Sequence, residues 1–287
     1  MPLVEIGFRI VDVFTERPLA GNQLCVVPEP VELDTETRQA LAREINFSET
    51  TFVTSAGGDR YSMRIFTPAQ ELPFAGHPTL GTAFVLVSEG RVTSPATQMV
   101  GAGEIVVEVD VRAGRALMHQ LPPEFGAEFG DRELVARAAG LSPEELRADV
   151  PMQVVSTGLP HLIVPVRDVE TLRRAVRDGA LVTEVHRRTG GESMYLFAET
   201  LEGVTARMFD WELGVGEDPA TGSAAGPLGV YLSAYGLAGM PGEVVVAQGE
   251  QVGRPSFLHV ETEAEGDSWA IRVGGGVRLI GEGAFHL

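Results

Sequence analysis

The sequence predicts an α+β fold of two similar lobes, and three observations carry that reading. Strand-like alternation and helix-like spacing are mixed along the chain without the regular alternation of a doubly wound parallel sheet. A motif that begins at Glu71 returns at Glu217, 146 positions on and about half the chain away. The length of 287 residues suits two compact halves of roughly 100–150 residues each.

The elements follow in chain order. Ile6-Gly7-Phe8-Arg9-Ile10 alternates as a strand does, and Asp34 can cap a helix running through Leu41 to about Ile45. Tyr61-Ser62-Met63-Arg64-Ile65-Phe66 reads as a strand, as do Ile105 to Val111 and Ala116 to Leu121. Ser142-Pro143-Glu144-Glu145 has capping-box spacing with proline at the first helical position. Asp168 can start another helix, carrying Leu172, Ala175 and Val176 and closing near Gly179.

The repeat is the most informative feature. Glu71-Leu72-Pro73-Phe74-Ala75-Gly76-His77 is echoed by Glu217-Asp218-Pro219-Ala220-Thr221-Gly222-Ser223. Each segment runs into helix-compatible sequence, Thr79 to Glu89 before Gly90 and Ala224 to Tyr235 before Gly236. Upstream, Arg64-Ile65-Phe66 is matched by Arg207-Met208-Phe209, with three extra residues in the second connection. Duplication explains these matches together.

Composition removes several function classes. All 22 basic residues are arginine, so chemistry that needs a lysine amine is excluded: Schiff bases, attached pyridoxal phosphate and the Walker-A loop. A formal net charge of −18 opposes nucleic acid and anionic membranes as partners and favours a small molecule. No apolar run reaches the ~18 residues of a membrane span. Met1-Pro2-Leu3-Val4-Glu5 does not read as a secretory signal, so the cytosol is the expected compartment. Cys25 is the single cysteine and lies in the apolar run Leu24-Cys25-Val26-Val27, which makes it a core residue and rules out two-thiol chemistry. His119, His186, His259 and His286 are scattered without helical zinc spacing, so no metal is expected. Gly274-Gly275-Gly276 lies late between strand-like segments and is no dinucleotide fingerprint.

Each echoed segment delivers a short polar residue, His77 or Ser223, to a helix start just after a glycine, Gly76 or Gly222. Helix starts carry roughly half a positive charge and bind carboxylates or phosphates. Taken alone, either entry is equally a tight turn into a buried helix. Glu49, in Asn46-Phe47-Ser48-Glu49, stands where a helix gives way to a strand; in a dry cleft its pKa would rise toward the range useful for proton transfer. Asp218 precedes a helix and reads as a cap or a site residue. His77 at a helix start should be neutral, because the local positive potential disfavours its cation. Asn22, after a turn, and His161, after Ser156-Thr157-Gly158-Leu159-Pro160, can hydrogen-bond a substrate or be an ordinary turn asparagine and a core histidine.

At these residues the sequence resembles the phenazine-biosynthesis PhzF-like isomerase family, relatives of diaminopimelate epimerase. The stretches that carry the likeness are Val11-Asp12-Val13-Phe14-Thr15 with Gly21-Asn22, Asn46-Phe47-Ser48-Glu49-Thr50, Phe74-Ala75-Gly76-His77-Pro78-Thr79 and Gly216-Glu217-Asp218-Pro219-Ala220-Thr221-Gly222-Ser223-Ala224. The resemblance implies a diaminopimelate epimerase-like fold: two pseudo-symmetric lobes, each a mixed sheet wrapped around a central helix, with the active site between them and commonly a homodimer. It implies that Glu49 is the general acid/base, that His77, Asp218 and Ser223 complete the catalytic set, and that no cofactor is used. Asn22, Ser48, Gly76, His161 and Gly222 are the expected substrate contacts. The lobes are placed at residues 1–115, with 277–287 returning to them, and at 116–276.

The epimerase relatives use two opposed cysteines, which this chain lacks. The expected reaction is therefore isomerisation by one carboxylate, which takes a proton from one carbon of a small carboxylate substrate and returns it to another. Two other readings stay open: a binding module that keeps the cleft without turnover, and an amino-acid epimerase working with carboxylates. The identity of the substrate is not legible.

Overall fold

The structure, a computed structural model, describes residues 5–100, 103–211, 216–266 and 268–287. The segment Met1–Val4, read above for a secretory signal, lies outside the described residues. Two compact units divide the chain, Met1–His119 with Gly274–Leu287, and Gln120–Val273.

The first unit is built from β1 (Glu5–Val13), β2 (Asn22–Val27), α1 (Thr35–Ile45), β3 (Glu49–Gly57), β4 (Arg60–Phe66), β5 (Glu71–Leu72), α2 (Gly76–Ser88), β6 (Ala96–Val100), β7 (Gly103–Asp110) and β8 (Arg115–His119). The second holds β9 (Glu124–Glu128), α3 (Arg132–Ala138), β10 (Gln153–Ser156), β11 (Pro160–Pro165), α4 (Val169–Arg174), α5 (Gly179–Thr189), β12 (Ser193–Glu199) and β13 (Val204–Asp210). It continues through β14 (Glu217–Asp218), α6 (Gly222–Tyr235), β15 (Gly242–Gln248) and β16 (Ser256–Glu265). The last strand, β17 (Ser268–His286), begins in the second unit and ends in the first, where it pairs antiparallel with β1.

The two units share one topology, as the repeat predicts. In the first, β1–β2 is antiparallel, β2–β3 parallel, β3–β4 and β4–β5 antiparallel, β4–β6 parallel and β6–β7 antiparallel. The second repeats each step with β10–β11, β11–β12, β12–β13, β13–β14, β13–β15 and β15–β16. α2 touches β1, β2, β3, β6, β7 and β8. It is buried from Gly76 through Leu86, which is why its sequence is apolar on every face. α6 plays the same part against β10, β11 and β16. Separate apolar clusters lie under the outer helices: Ile6, Val27, Leu41, Ala42, Phe52 and Phe66 beneath α1, and a larger group including Leu134, Val135, Leu172, Val182 and Val185 in the second unit.

The structure also shows why arginine, phenylalanine and glutamate recur at the repeat. Arg64 grips Glu71 with two hydrogen bonds, Nε to Oε1 at 2.7 Å and Nη2 to Oε2 at 2.5 Å, and its guanidinium lies 5.1 Å over the Phe66 ring. Arg207 grips Glu217 at 2.8 and 2.6 Å and lies 4.9 Å over Phe209. Each fork ties a two-residue strand to its neighbour immediately before a central helix begins. Arg207 also donates to the carbonyls of Leu172 and Ala175, so its charge is met from both ends of the side chain's reach.

Several element boundaries differ from the sequence reading. Asp34 caps α1 as expected, accepting the Thr37 N–H at 2.7 Å. The capping box at Ser142 closes only a 3₁₀ turn, Pro143–Glu145, because Leu146 leaves the helix to make a β-bridge with Val166. The helix begun at Asp168 stops at Arg174, and Asp178 caps a separate helix where the first was expected to close. Val176 is left exposed in the connection. The strand expected over Ala116–Leu121 ends at His119. Both central helices start earlier than their periodicity showed, at Gly76 and Gly222, since glycine, histidine and serine carry no apolar signal. Gly274–Gly276 lies inside β17 rather than between strands.

The two forks differ in burial, and so in energetic weight. Arg207 is 7% exposed and Glu217 15%, whereas Arg64 and Glu71 are 28% and 38% exposed. Removing one partner of a buried pair costs about 3–5 kcal/mol, against roughly 0–1 kcal/mol for an exposed pair. Urea denaturation of Arg207→Ala and Arg64→Ala should therefore show a loss several-fold larger for Arg207→Ala; equal losses would contradict this ranking.

Candidate active site

In the first unit the predicted residues meet around the start of α2. The Asp12 carboxylate accepts the Leu19 N–H at 2.7 Å and holds the loop between β1 and β2, so that Asn22 opens β2 opposite Val13. The parallel pairing of β2 with β3 sets Leu24 beside Glu49. The Thr51 and Thr82 hydroxyls, 2.9 Å apart, lock β3 to α2. With those three contacts made, the His77 ring sits with Nδ1 3.2 Å from Asn22 Nδ2 and Nε2 3.3 Å from a Glu49 carboxylate oxygen. His77 is 3% exposed and the Glu49 side chain 13%. Ser48 is half-buried immediately before Glu49, and Gly76 is the first residue of α2.

Burial pushes the His77 pKa down to about 3, with a backbone hydrogen bond to Gln23 pulling weakly the other way. The ring is neutral, as the sequence predicts, but loss of water rather than the helix dipole is the principal cause. Asn22 and His77 thus lie within hydrogen-bonding reach of each other, with the Glu49 carboxylate beside the far edge of the ring. The α2 start is not capped by a side chain, Ala75 being the N-cap residue.

In the second unit β14 carries Asp218, whose Oδ2 accepts the Thr221 hydroxyl at 2.7 Å. Thr221, not Asp218, is the N-cap residue of α6, and its side chain makes no capping hydrogen bond. Gly222 and Ser223 open the helix, both buried. The Gly222 carbonyl accepts from Gln120 Nε2 at 2.9 Å, while Gln120 Oε1 accepts the Thr157 hydroxyl at 2.7 Å. That arrangement requires glycine at position 226, where an added Cβ would lie 1.7 Å from Gln120 Oε1. His161 stands apart from this group: its Nδ1 meets the Ser193 hydroxyl at 2.9 Å, and no hydrogen bond among the described residues links it to Asp218 or Ser223. Burial lowers its pKa to about 3.

Sequence reasoning missed Thr221, Gln248, Tyr195 and Gln120. Gln248 Nε2 donates to the Asp218 carbonyl at 2.8 Å, and the Tyr195 hydroxyl donates to Gln248 Oε1 at 2.8 Å. The one available signal was a polar residue closing an apolar strand run, Gln248 after Val244-Val245-Val246-Ala247. Cys25 is fully buried, and its thiol is pushed up to about 12 by burial, which leaves carboxylates and histidines as the proton-handling groups here. No group of metal-ligating side chains forms among the described residues, and no helix of the described residues is long and apolar enough to cross a membrane.

A profile of the phenazine biosynthesis-like protein family (PhzC–PhzF) matches residues 11–283. A trans-2,3-dihydro-3-hydroxyanthranilate isomerase from Pseudomonas fluorescens is 34% identical over 98% of this chain and 99% of its own. The crystal structure of a PhzF-family phenazine biosynthesis protein from Bacillus anthracis superposes with a TM-score of 0.87 at 27% identity, over 99% of this chain and 100% of that one. A probable proline racemase from Agrobacterium radiobacter, 15% identical, shares the fold with a TM-score of 0.70 over 97% of this chain and 92% of its own.

Two buried neutral histidines make stability depend on pH in a definite direction. Folded His77 and His161 stay unprotonated down to about pH 3, whereas unfolded histidine takes a proton below about 6.5. Stability is fully present above pH 6.5 and is lost as pH falls toward 3, by about 1.4 kcal/mol per group at one unit below the unfolded value. Urea melts at pH 7.5 and 5.5 should show the native chain weakening more than His161→Gln; an identical loss in both would remove His161 from this account.

Proposed function

The chain belongs to the phenazine biosynthesis-like family of isomerases, and from that premise we propose that it moves a proton between two carbons of a small unsaturated carboxylic acid without a cofactor. The observation that carries the reading is the Glu49 carboxylate, 13% exposed and 3.3 Å from a buried neutral imidazole. A carboxylate so shielded from water can take a proton from a weakly acidic carbon, and a neutral neighbour does not hold it in the ionised form as a cation would.

In the proposed cycle Glu49 removes a proton from a carbon conjugated to the substrate carboxylate, and the electron pair spreads into an enolate-like system. The protonated Glu49 then returns the same proton to another carbon, so the double bond moves and the composition is unchanged. The neutral His77 ring, held beside Asn22, lies against the Glu49 carboxylate and keeps water from that side of it. Asp218 and Ser223 are the other catalytic residues, with Ser48, Gly76, His161 and Gly222 as substrate contacts. The uncapped helix starts at Gly76 and Gly222 suit a carboxylate. Identity to the Pseudomonas fluorescens isomerase makes trans-2,3-dihydro-3-hydroxyanthranilate the first substrate to test.

Incubation of that acid with the protein in deuterated water should move the double bond, with label on the receiving carbon only in the fraction of turnovers in which protonated Glu49 exchanges with solvent before it returns its proton. Glu49→Gln keeps the shape and removes the base, and should lower turnover by about 100-fold or more. Undiminished turnover by the folded variant would overturn the assignment of Glu49. Tight binding of the acid by the native chain without movement of its double bond would overturn the isomerase reading for that substrate.

A further inference from the structure

We propose that Tyr195, Gln248 and Thr221 form a one-way hydrogen-bond chain that turns and anchors the Asp218 carboxylate, which makes Thr221 and Gln248 positioning residues of the candidate site. The inference rests on the reading of Asp218 as a site residue. Its direction follows from the donors alone. The Thr221 backbone N–H can only donate and lies 3.2 Å from Gln248 Oε1, and the Asp218 backbone carbonyl can only accept and lies 2.8 Å from Gln248 Nε2. These two groups fix which way the amide faces. The Tyr195 hydroxyl must then donate to Oε1, at 2.8 Å, and the amide must donate its second proton to Thr221 Oγ1, at 3.0 Å. Since Oγ1 receives that proton, its own hydroxyl hydrogen is left for Asp218 Oδ2, at 2.7 Å.

Two further features mark the arrangement as built. Threonine at an N-cap ordinarily turns its oxygen to the amides of the first helical turn, which is worth ~0.5–2 kcal/mol. Here that role is given up, and the hydroxyl points back at β14. Gly249, with φ +84°, passes where an added Cβ would lie 2.5 Å from the Pro219 carbonyl, and this close approach holds Gln248 against the Asp218–Thr221 turn. Gln248 is 3% exposed and Tyr195 fully buried, so no water competes for the chain.

Arg207 and Glu217, on the preceding residue of β14, pair with each other, and Arg254 approaches Gly249 through its backbone carbonyl. They are the same in every variant below. Loss of a donor to a carboxylate disfavours its ionised form, so the Asp218 titration should move upward.

The test is carboxyl 13C NMR of the full chain labelled at aspartate, with the pH profile of kcat/KM measured alongside on trans-2,3-dihydro-3-hydroxyanthranilate. In Thr221→Val the Asp218 midpoint should rise by about one pH unit, and Thr221→Ser should restore it. The acid limb of kcat/KM should move with it, kcat should fall about tenfold, and KM should change less than kcat. Tyr195→Phe, which removes the first donor and keeps the ring, should give a smaller rise in the same direction and serves if Thr221→Val does not fold. An unmoved Asp218 midpoint in folded Thr221→Val, or in Tyr195→Phe where only that variant folds, would overturn the proposal. The NMR readout does not depend on turnover, so a native chain inactive on this acid would refute the functional reading while leaving the anchoring result to stand or fall by itself.

Discussion

Each unit depends on a guanidinium that forks onto a carboxylate and lies over an aromatic ring. Arg64 with Phe66 and Glu71, and Arg207 with Phe209 and Glu217, tie the short strand that precedes a central helix to the sheet. A helix start is a useful place for chemistry only if its position is fixed to within a fraction of an ångström. Two parallel hydrogen bonds in one plane supply that constraint better than an ammonium could, which is consistent with a chain that uses arginine for every basic residue. From that anchor the chain has only five residues before His77 or Ser223, too few to wander.

The same scaffold has been given different contents. In the first unit the space beside the helix start holds a carboxylate and a histidine from different elements, Glu49 from β3 and His77 from α2. In the second unit the carboxylate comes from the short strand itself, and its neighbours are hydroxyls and an amide. Burial forces His77 into its neutral form, while Asp218 has a hydroxyl turned toward it by design of the surrounding hydrogen bonds. One duplicated frame thus carries a carboxyl group in contrasting surroundings in each of its two copies.

How much of this was legible follows the physics of each residue. The duplication, the α+β class and the first-unit trio of Asn22, Glu49 and His77 were readable, because the turn, the helix-to-strand junction and the glycine-led helix entry leave local signatures in sequence. Asp218 and Ser223 were readable through the repeat. Gln248 and Tyr195 were not, since their partners lie 30 and 53 residues away along the chain and only strand pairing brings them together. The capping box at Ser142 misled for a related reason: its local geometry formed, but a tertiary bridge from Leu146 to Val166 ended the helix after one turn. The Ser193 partner of His161, 32 residues away, was likewise beyond the reach of local spacing.

The long final strand carries a consequence for synthesis. Gln120–Val273 is one uninterrupted stretch, whereas the other unit is made of segments on either side of it, with β1 lying against the last part of β17. As the polypeptide leaves the ribosome, the half encoded in the middle therefore has all its residues available first. The other half must wait, with β1 lacking one neighbour, until the final part of β17 has been made.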